Sequence, residues 1–416
     1  MKKIWIIAPF TEIENIKNRN RFQYIANEIS KEKNCEVHLF TSDYVHLEKR
    51  YCNEKIKNDY LYNVHLIHEI GYKKNISIRR AISHISFALN LRKKIKELEK
   101  PDLIYCAYPM MTSAFFMENY AKKNKIPFIL DIQDTWPESI SAGINTDNYI
   151  VKMLMYPFTL YANAIYRKAD LIIGVSETYA ERGRVKNCKS KEFISVYIGA
   201  EGNKFDNVIV KTLKKSKNEI WITYIGTLSH SYDIMTAIKA FDLLKENSSI
   251  KLQILGEGPE LESLKEEAKN LKLLDKIIFF RGMLPYEEMI SYLKNSDVAL
   301  NAIKSSSLGT ITNKFGDYVS AGLPILNCCQ SEEVLNLIQN RKLGLNYTSE
   351  NPESLKKKIL EILKDKERIK EYSENSKKFA KDKFDRKKSY KIIFGKIKEK
   401  LLEENRIIGE ENLNED

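Results

Sequence analysis

Asn301-Ala-Ile-Lys-Ser-Ser-Ser-Leu-Gly-Thr-Ile-Thr-Asn-Lys-Phe-Gly-Asp-Tyr-Val-Ser-Ala-Gly-Leu-Pro324 reads as a strand, a loop of phosphate size and a helix. The apolar run Val298 to Ile303 predicts the strand, and the Ser-rich turn ending Leu308-Gly309-Thr310 predicts the loop. Phe315, Tyr318 and Val319 recur at helical spacing until Gly322 and Pro324 stop the helix. Free backbone amides and the dipole at a helix start attract a diphosphate. Asn313 and Asp317 stand four residues apart on one face, so a carboxylate can grip a ribose diol while Lys314 or Lys304 meets phosphate charge. The implied ligand is a nucleoside diphosphate, with Gly309, Thr310, Asn313 and Asp317 as contacts.

Similar strand-and-helix alternation fills the chain. Ile4 to Ala8, Val37 to Thr41, Val64 to His68, Leu103 to Ala107, Phe128 to Ile132 and Leu171 to Ser176 predict the strands of a parallel sheet with crossover helices. A second series follows the Lys-rich connector Val208 to Asn218: Ile220 to Ile225, Leu252 to Leu255, Ile277 to Phe280, Val298 to Ile303 and Ile325 to Cys328. The fold class is α/β. The expected organisation is a first domain over 1–207, a second over 208–384, a helix over 385–404 crossing back to the first, and a disordered acidic tail over 405–416. In such doubly wound sheets ligands lie at the carboxyl ends of the strands, so the loops after the strands are where function is sought.

At 416 residues the chain is long enough for two full cores. A hydrophobic content of 43% excludes general disorder, and 68 basic against 56 acidic residues permit nucleic acid, an anionic membrane or a phosphorylated substrate as partner. Nucleic acid ranks last, because the basic residues form no recognisable binding module. Six cysteines without Cys-x-x-Cys or Cys/His spacing read as reduced cytosolic thiols, and no metal site is expected. The opening Met-Lys-Lys and short apolar run, with Pro9 inside and Glu12 and Glu14 beyond, read as a buried strand and not as a signal peptide. No segment reaches the roughly 20 apolar residues of a membrane span, Tyr149 to Tyr166 being interrupted by Lys152, Pro157 and Asn163.

The order Tyr224-Ile-Gly-Thr-Leu-Ser-His-Ser-Tyr-Asp, Leu255-Gly-Glu-Gly-Pro-Glu, Phe280-Arg-Gly-Met-Leu-Pro-Tyr-Glu-Glu and Asn313-Lys-Phe-Gly-Asp-Tyr-Val-Ser-Ala-Gly-Leu-Pro resembles the donor-binding half of glycosyltransferase family 4. The resemblance implies the GT-B architecture of two facing Rossmann-like domains, a retaining reaction and no cofactor beyond a nucleotide-sugar co-substrate, a UDP-sugar. Gly226 and Thr227 then follow a strand where backbone passes close to phosphate, with Ser231 as a short donor. Gly256 and Gly258 shape the wall near the base, and Met283 sits where relatives meet the base. Two departures stand out: family members carry Glu where this chain has Gly309 and Glu where it has Asp317, and the Arg and Lys that follow the first glycine are replaced near Thr227 and Tyr232. A subgroup with Gly-Thr-Leu-x-His-Ser-Tyr-Asp and Asn-Lys-x-Gly-Asp-Tyr shares both changes.

In the first half, Arg19-Asn20-Arg21, then Ser42-Asp43 with His46 and Lys49, then Asp131, Asp134, Trp136 and Glu138 follow strands and are expected at the ligand cleft. Asp134-Thr-Trp-Pro-Glu resembles an Asp-Leu-Trp-Pro-Glu motif of the same subgroup, an indole beside carboxylates suiting sugar stacking. Arg19, Arg21, Asn75, Arg79, Trp136 and Glu138 form the expected acceptor set. His46 is the expected proton relay, with Asp134, Lys304 and Lys314 expected beside it at the reacting centre. The helix from Asn75 to about Lys96 sets Ile78, Ile82, Ile85 and Leu89 on one stripe among basic residues, which suits lying on an anionic bilayer, packing that stripe on the sheet, or both. The expectation is a cytoplasmic transferase, peripheral at the inner face of the plasma membrane, passing sugar to a lipid-linked saccharide in bacterial surface-polysaccharide assembly. A degenerate scaffold protein and a nucleotide-sugar epimerase remain as rivals, because fold does not fix chemistry.

Overall fold

The computed structural model describes residues 1–13, 20–52, 60–75, 77–141, 149–200, 205, 208, 213–307 and 311–413, with backbone only for 140, 141 and 404–413. It separates into two units, Met1–Val196 with Tyr390–Asp416, and Tyr197–Ser389. The division falls after the last strand of the first sheet, and the Lys-rich connector lies inside the second unit.

The first unit is built on β1 (Lys2–Ile7), β2 (Cys35–Ser42), β5 (Asn63–Ile67), β6 (Leu103–Tyr108), β7 (Phe128–Ile132), β8 (Leu171–Gly174) and β9 (Phe193–Ser195), paired in the order β5-β2-β1-β6-β7-β8-β9. All pairs are parallel. Their apolar runs are continuous because both faces are covered. α2 (Ile78–Lys94), α3 (Met111–Lys123) and the last turn of α4 (Tyr149–Tyr166) pack on one face, and α1 (Arg21–Ile29) and α14 (Lys391–Leu413) on the other. A short hairpin, β3 (Tyr44–Val45) with β4 (Arg50–Tyr51), interrupts the alternation after β2. Its strands are two residues long and carry no readable period.

The second sheet comprises β10 (Ile220–Ile225), β11 (Ile250–Leu255), β12 (Ile278–Gly282), β13 (Val298–Asn301), β14 (Ile325–Asn327) and β15 (Gly344–Asn346), in the order β12-β11-β10-β13-β14-β15. Again every pair is parallel. α6 (Ile234–Asp242), α7 (Leu261–Asn270) and α11 (Pro352–Leu363) cover one face; α8 (Tyr286–Asn295), α9 (Asn313–Ser320) and α10 (Glu332–Asn340) cover the other. In both sheets the strand order reverses beside the first strand, at β1/β6 and at β10/β13, which is where such folds open a crevice for ligand.

Three expectations are corrected. Arg21 faces no solvent: at 2% exposure it pairs through Nε with Asp131, 2.8 Å away and fully buried, while Nη1 donates to the carbonyl of Val196 and to Tyr390. It opens α1 beneath the strand ends, so the guanidinium is a core strut and not an acceptor ligand. The apolar stripe of α2 does not pack on the sheet, since Ile78, Ile82, Ile85 and Leu89 are exposed and the buried face is Ser83, His84, Phe87 and Leu91. Finally, α14 continues to Leu413, past the tail's expected start, its anchoring face being Ile393, Ile397 and Leu401. Strong helix formers carry it onward.

Candidate active site

At the reversal point of the second sheet, β10 is followed by Gly226 at φ +120° and β11 by Gly256 at φ +145°. A Cβ on Gly256 would lie 1.9 Å from the carbonyl oxygen of Gly226, so only glycine lets these strand ends close on each other. The result is a floor of bare backbone at the carboxyl edge.

α9, which follows β13, is steered onto that floor by Tyr318. This fully buried phenol accepts from the amide of Ile225 at 3.0 Å and donates to the carbonyl of Leu300 at 3.1 Å, bridging β10 and β13. Thr312 caps the helix by accepting from the Phe315 amide, and Gly322 at φ +72° ends it. Lys314 lies one turn before Tyr318 on the same face and therefore reaches the same place. Its Nζ donates to the Tyr224 hydroxyl at 2.9 Å and lies 3.3 Å from the centre of the Tyr232 ring. A Cβ on Gly226 would stand 2.2 Å from its Cε.

Burial lowers the Lys314 pKa to about 7. Among the described residues no carboxylate forms an ion pair with it. Its neighbours are two aromatic rings and a phenol oxygen, which hold a cation weakly and leave its charge available to an anionic ligand. One turn on, Asp317 accepts from the Tyr286 hydroxyl at 3.0 Å, and burial raises its pKa to about 7 against that hydrogen bond. A cation and a hydrogen-bonding carboxylate thus stand three residues apart at the sheet's reversal point, the first suited to phosphate and the second to a diol.

Of the other donor residues, Thr227, Ser231, Asn313 and Met283 are exposed beside this floor, and Gly258 packs its backbone on Leu228. The Lys304 amide bonds to the Ser231 carbonyl at 3.0 Å, stitching two loops together. Gly309 and Thr310, with Leu308, lie outside the described residues. Tyr224, Tyr232, Tyr286 and Tyr318 were absent from the sequence-based site. Only the i, i+4 spacing of Lys314 and Tyr318 hints at any of them.

The first unit gathers a second constellation at its strand ends. His46 approaches the Tyr72 hydroxyl through Nδ1, with Lys49 Nζ at 3.4 Å. Arg80, from the first turn of α2, lies 4.6 Å over the Trp136 ring and 5.5 Å over Tyr72, and His84 stacks on Trp136 at 5.8 Å. Burial, then Lys49 and Arg80, lower His46 to about 4; burial, then Arg80 and His46, lower His84 to about 3. Both imidazoles are neutral at physiological pH. With two donors at Nδ1, His46 carries its proton on Nε2 and is a weak base.

Asp134 accepts from the Thr135 amide at 2.9 Å and from the Trp136 indole at 3.1 Å, which fixes the indole's angle; burial raises its pKa. Asn75 accepts from Lys49 at 2.5 Å, and Arg79 donates to the carbonyl of Gly71 at 3.0 Å. Glu138 belongs elsewhere, paired with Arg182 at 2.6 Å. Arg19 lies outside the described residues. The sequence-based set missed Tyr72, Arg80 and His84, although Arg80 and His84 sit at i, i+4 on one face of α2. Two cations among aromatic faces suit a ligand carrying both sugar and phosphate.

Two family models match the chain: Glycosyltransferase Family 4 over residues 20–192 and Glycosyl transferases group 1 over residues 206–379. An uncharacterized glycosyltransferase of Methanocaldococcus jannaschii is 29% identical over 246 residues, 56% of this chain and 60% of that protein. The alpha-monoglucosyldiacylglycerol synthase of Streptococcus pneumoniae is 30% identical over 175 residues, 40% of this chain and 38% of the relative. The chain thus spans less than two thirds of the curated relatives it matches. Among solved structures, Anabaena HepE in complex with UDP superposes with a TM-score of 0.66 at 14% identity, covering 96% of this chain and 100% of that one, a likeness of fold. With one family model on each parallel sheet and the GT-B fold throughout, the chain belongs to glycosyltransferase family 4.

Proposed function

We propose that this glycosyltransferase moves a sugar from a UDP-sugar to a lipid-linked saccharide at the anionic inner face of a bacterial plasma membrane, in the assembly of a capsule, O-antigen or exopolysaccharide. The observation that carries the donor half is Lys314, a half-buried ammonium over the bare floor at Gly226, with Asp317 one turn away. In this reading Lys314 and the α9 amides meet the diphosphate, and Asp317 accepts from the ribose. HepE, of the same fold, has been crystallised with UDP. Family members carry Arg and Lys after the first glycine; here Lys314 brings positive charge to Gly226 from α9.

The reaction follows from that placement. The bond between the anomeric carbon and the β-phosphate oxygen loosens as positive charge from Lys314 stabilises the departing diphosphate. An acceptor hydroxyl forms its bond to that carbon on the face being vacated, and its proton passes to the leaving phosphate. Configuration is retained and no metal is required. With the leaving phosphate taking the proton, the step asks for no base from His46, which burial and its cationic neighbours Lys49 and Arg80 keep neutral.

The acceptor half rests on Lys49, Arg80 and Trp136, whose charge and aromatic faces suit the phosphate and sugar of a lipid-linked saccharide. A similar protein is named for a glycolipid product. The test incubates the full chain with UDP-, GDP- and dTDP-sugars, with and without bacterial lipid extract. Acceptor-dependent UDP release with a new glycolipid is expected. Release independent of lipid, or a rearranged sugar nucleotide, contradicts the reading.

A further inference from the structure

Exposed apolar side chains are concentrated on two helices of the first unit. On α4, Tyr149, Met153, Leu154, Tyr156, Phe158 and Leu160 are each 45–79% exposed, and only Ala162, Ile165 and Tyr166 of its last turn are buried. Tyr149, Met153, Tyr156 and Leu160 recur at i, i+4, i+7 and i+11, with Leu154 and Phe158 on the adjoining row. α2 adds the stripe of Ile78, Ile82, Ile85 and Leu89. Both helices flank α3 on one face of the same sheet. A soluble surface does not leave so much contiguous apolar area uncovered.

Charge says what covers it. About one residue in seven of this chain is acidic, yet the 17 residues of α2 and the 18 of α4 contain no Asp or Glu. Basic residues remain: Arg79, Arg80, Arg92, Lys93 and Lys94 on α2, and Lys152 on α4. A self-association face has no reason to exclude acids, whereas an anionic bilayer repels them and attracts the Arg92–Lys94 end. Among the described residues no helix is long and apolar enough to span a membrane, so the geometry is that of a helix lying in the interface.

We propose that α4 is a bilayer-inserting helix. Met153, Leu154 and Phe158 enter the acyl boundary, Tyr149 and Tyr156 sit at headgroup depth, and the basic end of α2 meets lipid phosphate. This deepens the lipid-acceptor reading above and rests on it only in giving a membrane-borne acceptor a reason to be met there.

The test is cosedimentation of the full chain with vesicles of phosphatidylglycerol in phosphatidylcholine and with phosphatidylcholine alone. Wild type is expected to pellet with the anionic vesicles. The triple variant Met153→Gln, Leu154→Gln, Phe158→Gln should partition at least about tenfold less while keeping its UDP affinity. Equal partitioning of variant and wild type overturns the proposal. So does a wild type that ignores vesicles but forms a dimer dispersed by the same substitutions, which would assign the face to a second copy. Should the triple variant not fold, a polarity-sensitive dye on Phe158→Cys replaces it: a blue shift with anionic vesicles supports insertion, and none overturns it. Vesicle binding that depends on α4 without transfer to any lipid supports this proposal while sinking the acceptor reading.

Discussion

Lys314 and Asp317 show how a binding site is kept at the expense of stability. Both pKa values are pushed towards 7 by burial, from opposite directions, so folding disfavours the charged form of each. For Lys314 the folded value lies below the ordinary 10.5. Between about 7 and 10.5 the unfolded chain therefore holds a proton that the folded one releases, and stability rises with pH across that window. Below it the full penalty of a buried ammonium applies. Lys314→Met, whose unbranched apolar chain suits the aromatic surroundings, should be more stable than wild type by roughly 1–3 kcal/mol near neutrality and below. That advantage should shrink as pH rises through the window. Denaturant midpoints of the two proteins, compared across pH, check it; a variant less stable at every pH would mean that Lys314 is a structural tether.

Helix α9 gives the ligand site its precision, because its register is set by one buried phenol shared between β10 and β13. Tyr318→Phe leaves the Ile225 amide and the Leu300 carbonyl without that partner, at a cost of about 1–3 kcal/mol. Displacement of Lys314 with the helix should also weaken UDP binding, measured on protein shown by circular dichroism to be folded; unchanged affinity would separate helix position from the site. Strands such as Phe128–Ile132 and Ile220–Ile225 were legible to the residue, since buried parallel strands are unbroken apolar runs. β9 and β15 were not, since these edge strands, Phe-Ile-Ser and Gly-Leu-Asn, carry no apolar run. Lys314 and Asp317 were readable from their spacing and from the family pattern. Tyr224, Tyr232 and Tyr286 were not, because tertiary contacts bring them from other strands and helices. Arg21 was misplaced for a related reason: position after a strand locates a side chain near the carboxyl edge but does not say whether it turns outward or into the core.

Across the chain, two parallel sheets that share a strand order over six strands carry different chemistry at equivalent edges: a cation beside a carboxylate in the second unit, and cations stacked on aromatic rings in the first. The excess of 68 basic over 56 acidic residues fits a protein whose proposed ligands and surroundings are all anionic. The account depends most on the nucleotide site, which calorimetric titration of UDP into wild type and Lys314→Met at neutral pH probes directly. Wild type should bind UDP with proton uptake, as the anionic diphosphate restores charge to Lys314, and the variant should lose at least about tenfold in affinity together with that uptake. Equal affinity and equal proton exchange in the two proteins would contradict the account.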